Sequence, residues 1–224
     1  MHIHMPNRMY ELGVKYDTDK ITHHRYDTSF DMFLSEMYNM SGSMLEIGID
    51  SGKSLKMWLE LFPHAHIYGM DINQGYSGER YTVMRGDQSN PADLHTVYST
   101  IKENNIFFIN DDGSHIPEHQ LLTFNTLFPA LREGGVYIIE DVETSYWTKG
   151  ELYGYKTRYG YKHPDSIVEI FKEVADSINR EFAGSRPNRV QHHNMIGSMT
   201  FAKNCIILTK QTRVDRPYRF SQCL

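Results

Sequence analysis

The chain has 224 residues, 40% hydrophobic and 23% charged, which suits one globular domain with a sizeable core. A formal net charge of -5 excludes the basic footprint that a nucleic-acid surface needs and points to a small-molecule ligand. Cys205 and Cys223 are the only cysteines, no stretch approaches the roughly 20 apolar residues of a membrane span, and the start lacks the apolar core of a secretory signal. The expectation is a cytoplasmic protein with neither nucleic acid nor membrane as partner.

Residues 1–26 are polar and read as an N-terminal arm. From Phe30 the apolar residues Phe30, Phe33, Leu34, Met37 and Tyr38 fall at helical spacing, with Asp27 or Thr28 as N-cap. Met44 to Gly48 reads as a strand running through a glycine turn into a helix at Leu55 to Phe62. His66 to Asp71 and Tyr81 to Arg85 read as further strands, and Asn90-Pro91 caps a helix reaching about Asn104. Ile106 to Ile109 is a fourth strand, followed by a helix from Pro117 to Leu131 closed by Gly134-Gly135. Val136 to Asp141 is the fifth. Residues 142–163, rich in Tyr and Gly, are too long for an ordinary connection and read as a lid or binding loop. A helix from Pro164 to Phe182 and a hairpin near Met195 to Phe201 and Ile206 to Thr209 follow, with 213–224 as a tail. The alternation predicts an α/β, doubly wound, mostly parallel Rossmann-like sheet with a C-terminal antiparallel hairpin, in one domain over 27–212.

In such a sheet, ligands bind outside the carboxyl ends of the strands. Glu46-Ile-Gly48-Ile-Asp-Ser-Gly52 occupies the position of a nucleotide loop, although its glycine spacing is not GxGxxG. Asp71 lies 23 residues beyond Gly48, near the offset at which an acid accepts from ribose hydroxyls. Asp87 ends the third strand beside Gln88, which suits an adenine amino group. These residues point to an adenosine-type ligand, either NAD or S-adenosylmethionine.

The fourth strand ends in Asp111-Asp-Gly-Ser-His115 and the fifth in Glu140-Asp141. Side chains alternate along a strand, so one acid of each pair faces a given site. Neighbouring strands about 4.8 Å apart would bring two such carboxylates together, an arrangement suited to Mg²⁺. His115 beside them can take a proton from a hydroxyl. His23 and His24 reach the site only if the arm folds over it, and His192-His193 lack ligand spacing.

The segments Lys15-Tyr-Asp-Thr-Asp-Lys20, His24-Arg-Tyr26, Leu45-Glu-Ile-Gly48, Ser54-Leu-Lys-Met-Trp58, Tyr68-Gly-Met-Asp71, Gly86-Asp-Gln-Ser89, Asp111-Asp-Gly-Ser-His115 and Glu140-Asp141 resemble, in order and spacing, the metal-dependent class I methyltransferases that O-methylate sugar hydroxyls, such as the macrolide-sugar O-methyltransferases. The resemblance implies S-adenosylmethionine bound by Glu46, Gly48, Asp71 and Asp87, with Asp111 in support, and Mg²⁺ on Asp112 and Asp141. It also implies His115 as general base, a third acidic ligand from the N-terminal helix for which Asp31 is the candidate, and a homo-oligomer. The macrolide enzymes carry an N-terminal extension ahead of this pattern, so the expectation is the methyl-transfer core acting on a sugar, with the macrolide carrier left open. Alternatives are a catechol-type O-methyltransferase, an NAD-dependent oxidoreductase and a noncatalytic S-adenosylmethionine-binding module.

Overall fold

The computed structural model describes residues 7–148, 157, 159–179 and 188–211. Its chain order is α1 (Arg8–Tyr16), α2 (Asp19–Thr22), α3 (Asp27–Leu34), β1 (Gly42–Ile47), α4 (Lys53–Leu61), β2 (Ala65–Asp71), β3 (Tyr76–Gly78), β4 (Tyr81–Arg85), α5 (Pro91–Ile101), β5 (Ile106–Asp111), α6 (Pro117–Leu127), β6 (Leu131–Glu140), α7 (Ile167–Lys172), α8 (Val174–Ile178), β7 (Ile196–Ala202) and β8 (Cys205–Lys210).

The strands form one eight-stranded sheet in the order β3-β4-β2-β1-β5-β6-β8-β7. The neighbours β4, β2, β1, β5 and β6 are parallel, whereas β3, β8 and β7 add antiparallel edges. One face is covered by a core that includes Leu94, Phe124 and Phe171, from α5, α6 and α7. The other is covered by Met9, Ile21, Phe30 and Trp58, from α1 to α4.

Residues 7–26 are therefore not an arm. Met9 and Leu12 fall on one face of α1, and Met9, Ile21 and Tyr26 are almost fully buried. These apolar residues are too few in a polar stretch to reveal a short helix by periodicity, but tertiary packing supplies the burial that holds it.

Strand β5 carries an irregularity that matters downstream. Its pairing with β1 passes from Ile106 directly to Phe108, so Phe107 is an extra residue, and Phe107 and Phe108 join the same core while Ile106 and Ile109 join the other. From Phe108 onward the alternation is regular. The bulge thus sets which face Asn110 and Asp111 present.

Two predicted boundaries differ. Gly134 and Gly135 lie inside β6, and the preceding helix closes through a 3₁₀ turn at Phe128–Ala130, where Pro129 interrupts it. The helix predicted over 164–182 starts at a Ser166 N-cap and breaks at Glu173 into α7 and α8, with 180–187 outside the described residues. The predicted tail 213–224 lies wholly outside them, as do 149–156 and 158 of the predicted lid.

Candidate active site

The turn after β1 is built by Gly48 and Asp71. Gly48 has φ +84°, and a Cβ there would lie 2.0 Å from the Asp112 carbonyl oxygen, so only glycine lets this turn press against the end of β5. Asp71 accepts from the Ile49 and Asp50 amides, both at 3.1 Å, and from the Asn73 amide at 2.8 Å. The acid ending β2 thereby shapes the loop that opens α4.

Alternation then sorts the acids. Glu46, Asn110 and Glu140 turn toward the face covered by α1 to α4 and are fully or almost fully buried. Into this row comes Lys20, itself 1% exposed. Its ammonium donates to Glu140 at 2.9 Å and to Asp112, and lies 3.4 Å from Glu46. Asn110 donates to Glu140 at 2.6 Å, while Ser54 and Trp58 donate to Glu46 at 2.8 and 2.9 Å. Burial alone would lower the Lys20 ammonium, but Asp112, Glu140 and Glu46 hold it well above the ordinary lysine value. Burial pushes Glu140 well above the carboxylate range, with Asp112 adding to the rise and Lys20 opposing it. Breaking one partner out of a buried pair costs about 3–5 kcal/mol, so Lys20 holds both fold and site together.

Asp111 turns to the other face. It accepts from Gln88 Nε2 at 2.6 Å and lies 3.5 Å from the Tyr137 hydroxyl, and burial raises its carboxyl to about 7. Gln88 Oε1 in turn accepts from the Ser114 amide at 2.8 Å, which fixes the turn leading to His115.

Asp112, His115 and Asp141 converge in a cavity of about 670 Å³, whose lining also includes Asp19, His24, Gly48 and Lys53. One ligand atom of each of the three lies within 4.8 Å of the others. His115 Nε2 is 3.9 Å from Asp112 Oδ1 and 3.6 Å from Asp141 Oδ2. His115 and Asp141 both adopt left-handed backbone conformations, at φ 54° and 53°. For residues with a Cβ this strain persists where surrounding structure enforces it, and it clusters at functional sites. Asp141 is further held by Tyr26, whose hydroxyl donates at 2.6 Å, and by Asn204 at 2.9 Å. His24 lies 3.6 Å from the same oxygen and stacks on Tyr26. Two partly open carboxylates beside an imidazole, within an acid cluster that Lys20 alone does not balance, fit a hard divalent cation.

No protein-family model matches the chain. It is 30% identical over 212 residues to the 8-demethyl-8-alpha-L-rhamnosyl tetracenomycin-C 2'-O-methyltransferase of Streptomyces olivaceus, covering 89% of this chain and 54% of that one. It is 38% identical over 197 residues to the demethylmacrocin O-methyltransferase of Streptomyces fradiae, covering 82% and 48%. A crystal structure of MycE, a methyltransferase of mycinamycin biosynthesis in complex with Mg, SAH and mycinamycin VI, superposes with a TM-score of 0.79 at 27% identity, over 92% of this chain and 54% of that one. The chain has the class I methyltransferase fold and is homologous to sugar O-methyltransferases. It spans about half the length of the curated relatives it matches.

Within this methyltransferase fold, the predicted residues separate into groups. Gly48, Asp112, His115 and Asp141 meet at the cavity wall. Glu46, Asp71, Gln88 and Asp111 are buried behind it, and Asp87 caps a turn by accepting from Ser89. Asp31 does not join the cluster: its carboxylate accepts from the Tyr38 hydroxyl one helical stretch away. The sequence does not mark Lys20, Tyr26 or Asn204 as site residues; the first two stand in segments that resemble the sugar enzymes, which is their one sequence signal. No helix among the described residues is long and apolar enough to cross a membrane.

Proposed function

We propose that this chain is the catalytic domain of an S-adenosylmethionine- and Mg²⁺-dependent O-methyltransferase that methylates a hydroxyl of a sugar. The observation that carries this reading is the convergence of Asp112, His115 and Asp141 beside the Gly48 turn, in one cavity. Gly48 and the loop through Lys53 would hold the cofactor, Asp71 fixes that loop, and Asp87 would address the adenine end, with Gln88 and Asp111 bonded to each other behind it. Asp112 and Asp141 hold the cation. When bound, S-adenosylmethionine supplies a methyl on a sulfonium leaving group, and Mg²⁺ supplies the Lewis acidity that lowers the pKa of a chelated hydroxyl.

His115 receives the hydroxyl proton at Nε2, the ring nitrogen facing the two carboxylates, as the sugar oxygen takes the methyl. His115 then passes this proton to solvent, and the bound cofactor would give up its methyl by breaking the C–S bond as the C–O bond forms, leaving S-adenosylhomocysteine. Fixed orientation within the cavity and the preorganised charges of Asp112, Asp141 and Lys20 supply most of the acceleration. The exposed Tyr146, which lines a cavity together with His23 and His24, offers an aromatic face for the sugar's C–H surface.

The acceptors in the relatives' names define the first assay: 8-demethyl-8-alpha-L-rhamnosyl tetracenomycin C, demethylmacrocin and mycinamicin VI. The expected result is methyl transfer to at least one, abolished by EDTA and restored by Mg²⁺. Activity unchanged in EDTA overturns the metal reading. Cofactor binding with no transfer to any glycoside or catechol reduces the protein to a binding module, and binding of NAD in place of S-adenosylmethionine would return the oxidoreductase.

A further inference from the structure

The carboxylates near the site, Glu46, Asp112, Glu140 and Asp141, outnumber the charges of the one cation expected on Asp112 and Asp141, and Lys20 offsets part of the difference. Its ammonium, 1% exposed, contacts Asp112 and lies 2.9 Å from Glu140 and 3.4 Å from Glu46. That is three oxygens from three acids around one charge. Asp112 is shared: Oδ2 faces Lys20, while Oδ1 faces His115 and the side of Asp141. A carboxylate bridging two cations in this way is the arrangement of two-metal sites, with an ammonium in place of one ion.

We propose that Lys20 is the resident second cation of the site, a fixed ammonium that occupies what would otherwise be a divalent-ion position among Glu46, Asp112 and Glu140 and that turns Asp112 toward the single ion shared with Asp141. This rests on the reading of Asp112 and Asp141 as cation ligands. Lys20 is a positioning residue, since it acts through Asp112. Because it is delivered by the first turn of α2, it makes the N-terminal helices part of the cation site.

The test counts ions. Wild type and Lys20→Ala are dialysed to equilibrium against saturating Mn²⁺, and manganese per chain is measured by inductively coupled plasma mass spectrometry. The expected result is one ion in wild type and two in Lys20→Ala. Equal counts in the two proteins overturn the inference. No ion in wild type but one in Lys20→Ala removes the Asp112–Asp141 reading while supporting the second-cation position. Lys20→Met fills the space without charge and is expected to bind one ion at least tenfold more weakly than wild type; wild-type affinity counts against the inference. If Lys20→Ala is unfolded without metal, millimolar Mn²⁺ is expected to restore its circular dichroism, and failure to do so also overturns the proposal.

Discussion

The Tyr26 hydroxyl donates a 2.6 Å hydrogen bond to Asp141 Oδ1, tying the start of α3 to the end of β6. The same ring stacks between His24 and Phe30. Tyr26→Phe keeps those stacks and removes only the donor. A hydrogen bond to a charged group contributes about 1.5–3 kcal/mol, so urea denaturation should show a loss near the lower end of that range, because Asn204 still donates to the same oxygen. Mn²⁺ affinity should fall several-fold as Asp141 gains freedom. Unchanged affinity would separate Tyr26 from the cation site.

His115 stands 3.6 Å from Asp141 and 3.9 Å from Asp112 through one ring nitrogen. General-base catalysis is worth roughly 10²–10⁴ in rate, and His115→Ala should lose an amount in that range from kcat. S-adenosylhomocysteine affinity, measured by calorimetry, should stay within about threefold, because the Gly48 turn is separately built by Asp71. A variant that kept full turnover would remove the base assignment.

How far the sequence reveals this site depends on the range of each interaction. Asp111-Asp-Gly-Ser-His115 and Glu140-Asp141 are legible because strand ends announce themselves locally, by an apolar run meeting turn residues. The choice within each pair is not local. It follows from the phase of β5 after the Phe107 bulge, and a bulge leaves no clear mark in an Ile-Phe-Phe-Ile run. Lys20 is less legible still, since a lysine in a polar segment reads as surface. Its partners Asp112 and Glu140 lie 92 and 120 residues away. Asp31 shows the converse: an acid on the right helix, chosen by resemblance, whose side chain is engaged by Tyr38.

Gly48 is the point where the cofactor loop and the cation site touch. A methyl group there would meet the Asp112 carbonyl oxygen at 2.0 Å, from a backbone at φ +84° that disfavours any side chain. Gly48→Ala must push the two strand ends apart or strain the turn, at a cost on the order of 1–3 kcal/mol. The expected signature is joint: a lower melting temperature together with weaker binding of both S-adenosylhomocysteine and Mn²⁺. Loss of one ligand without the other would show that the turn and Asp112 are not mechanically joined.

Asp111 supplies a pH test. Burial raises its carboxyl from 3.8 to about 7, against the Gln88 hydrogen bond. The folded state therefore holds this proton more tightly than the unfolded chain. The resulting stabilisation is fully present below about pH 3.8 and is lost as pH rises through about 7. Asp111→Asn cannot titrate. Near pH 5 the wild-type carboxyl is protonated and, like the variant's amide, offers one carbonyl oxygen to Gln88 and one donor toward the Tyr137 hydroxyl, so in EDTA the two proteins should differ by less than about 1 kcal/mol. By pH 8 wild type carries a buried ionised carboxylate that the variant lacks, so a gap should open with Asp111→Asn the more stable. Urea denaturation at the two pH values measures it, and a constant gap would mean that Asp111 stays ionised throughout.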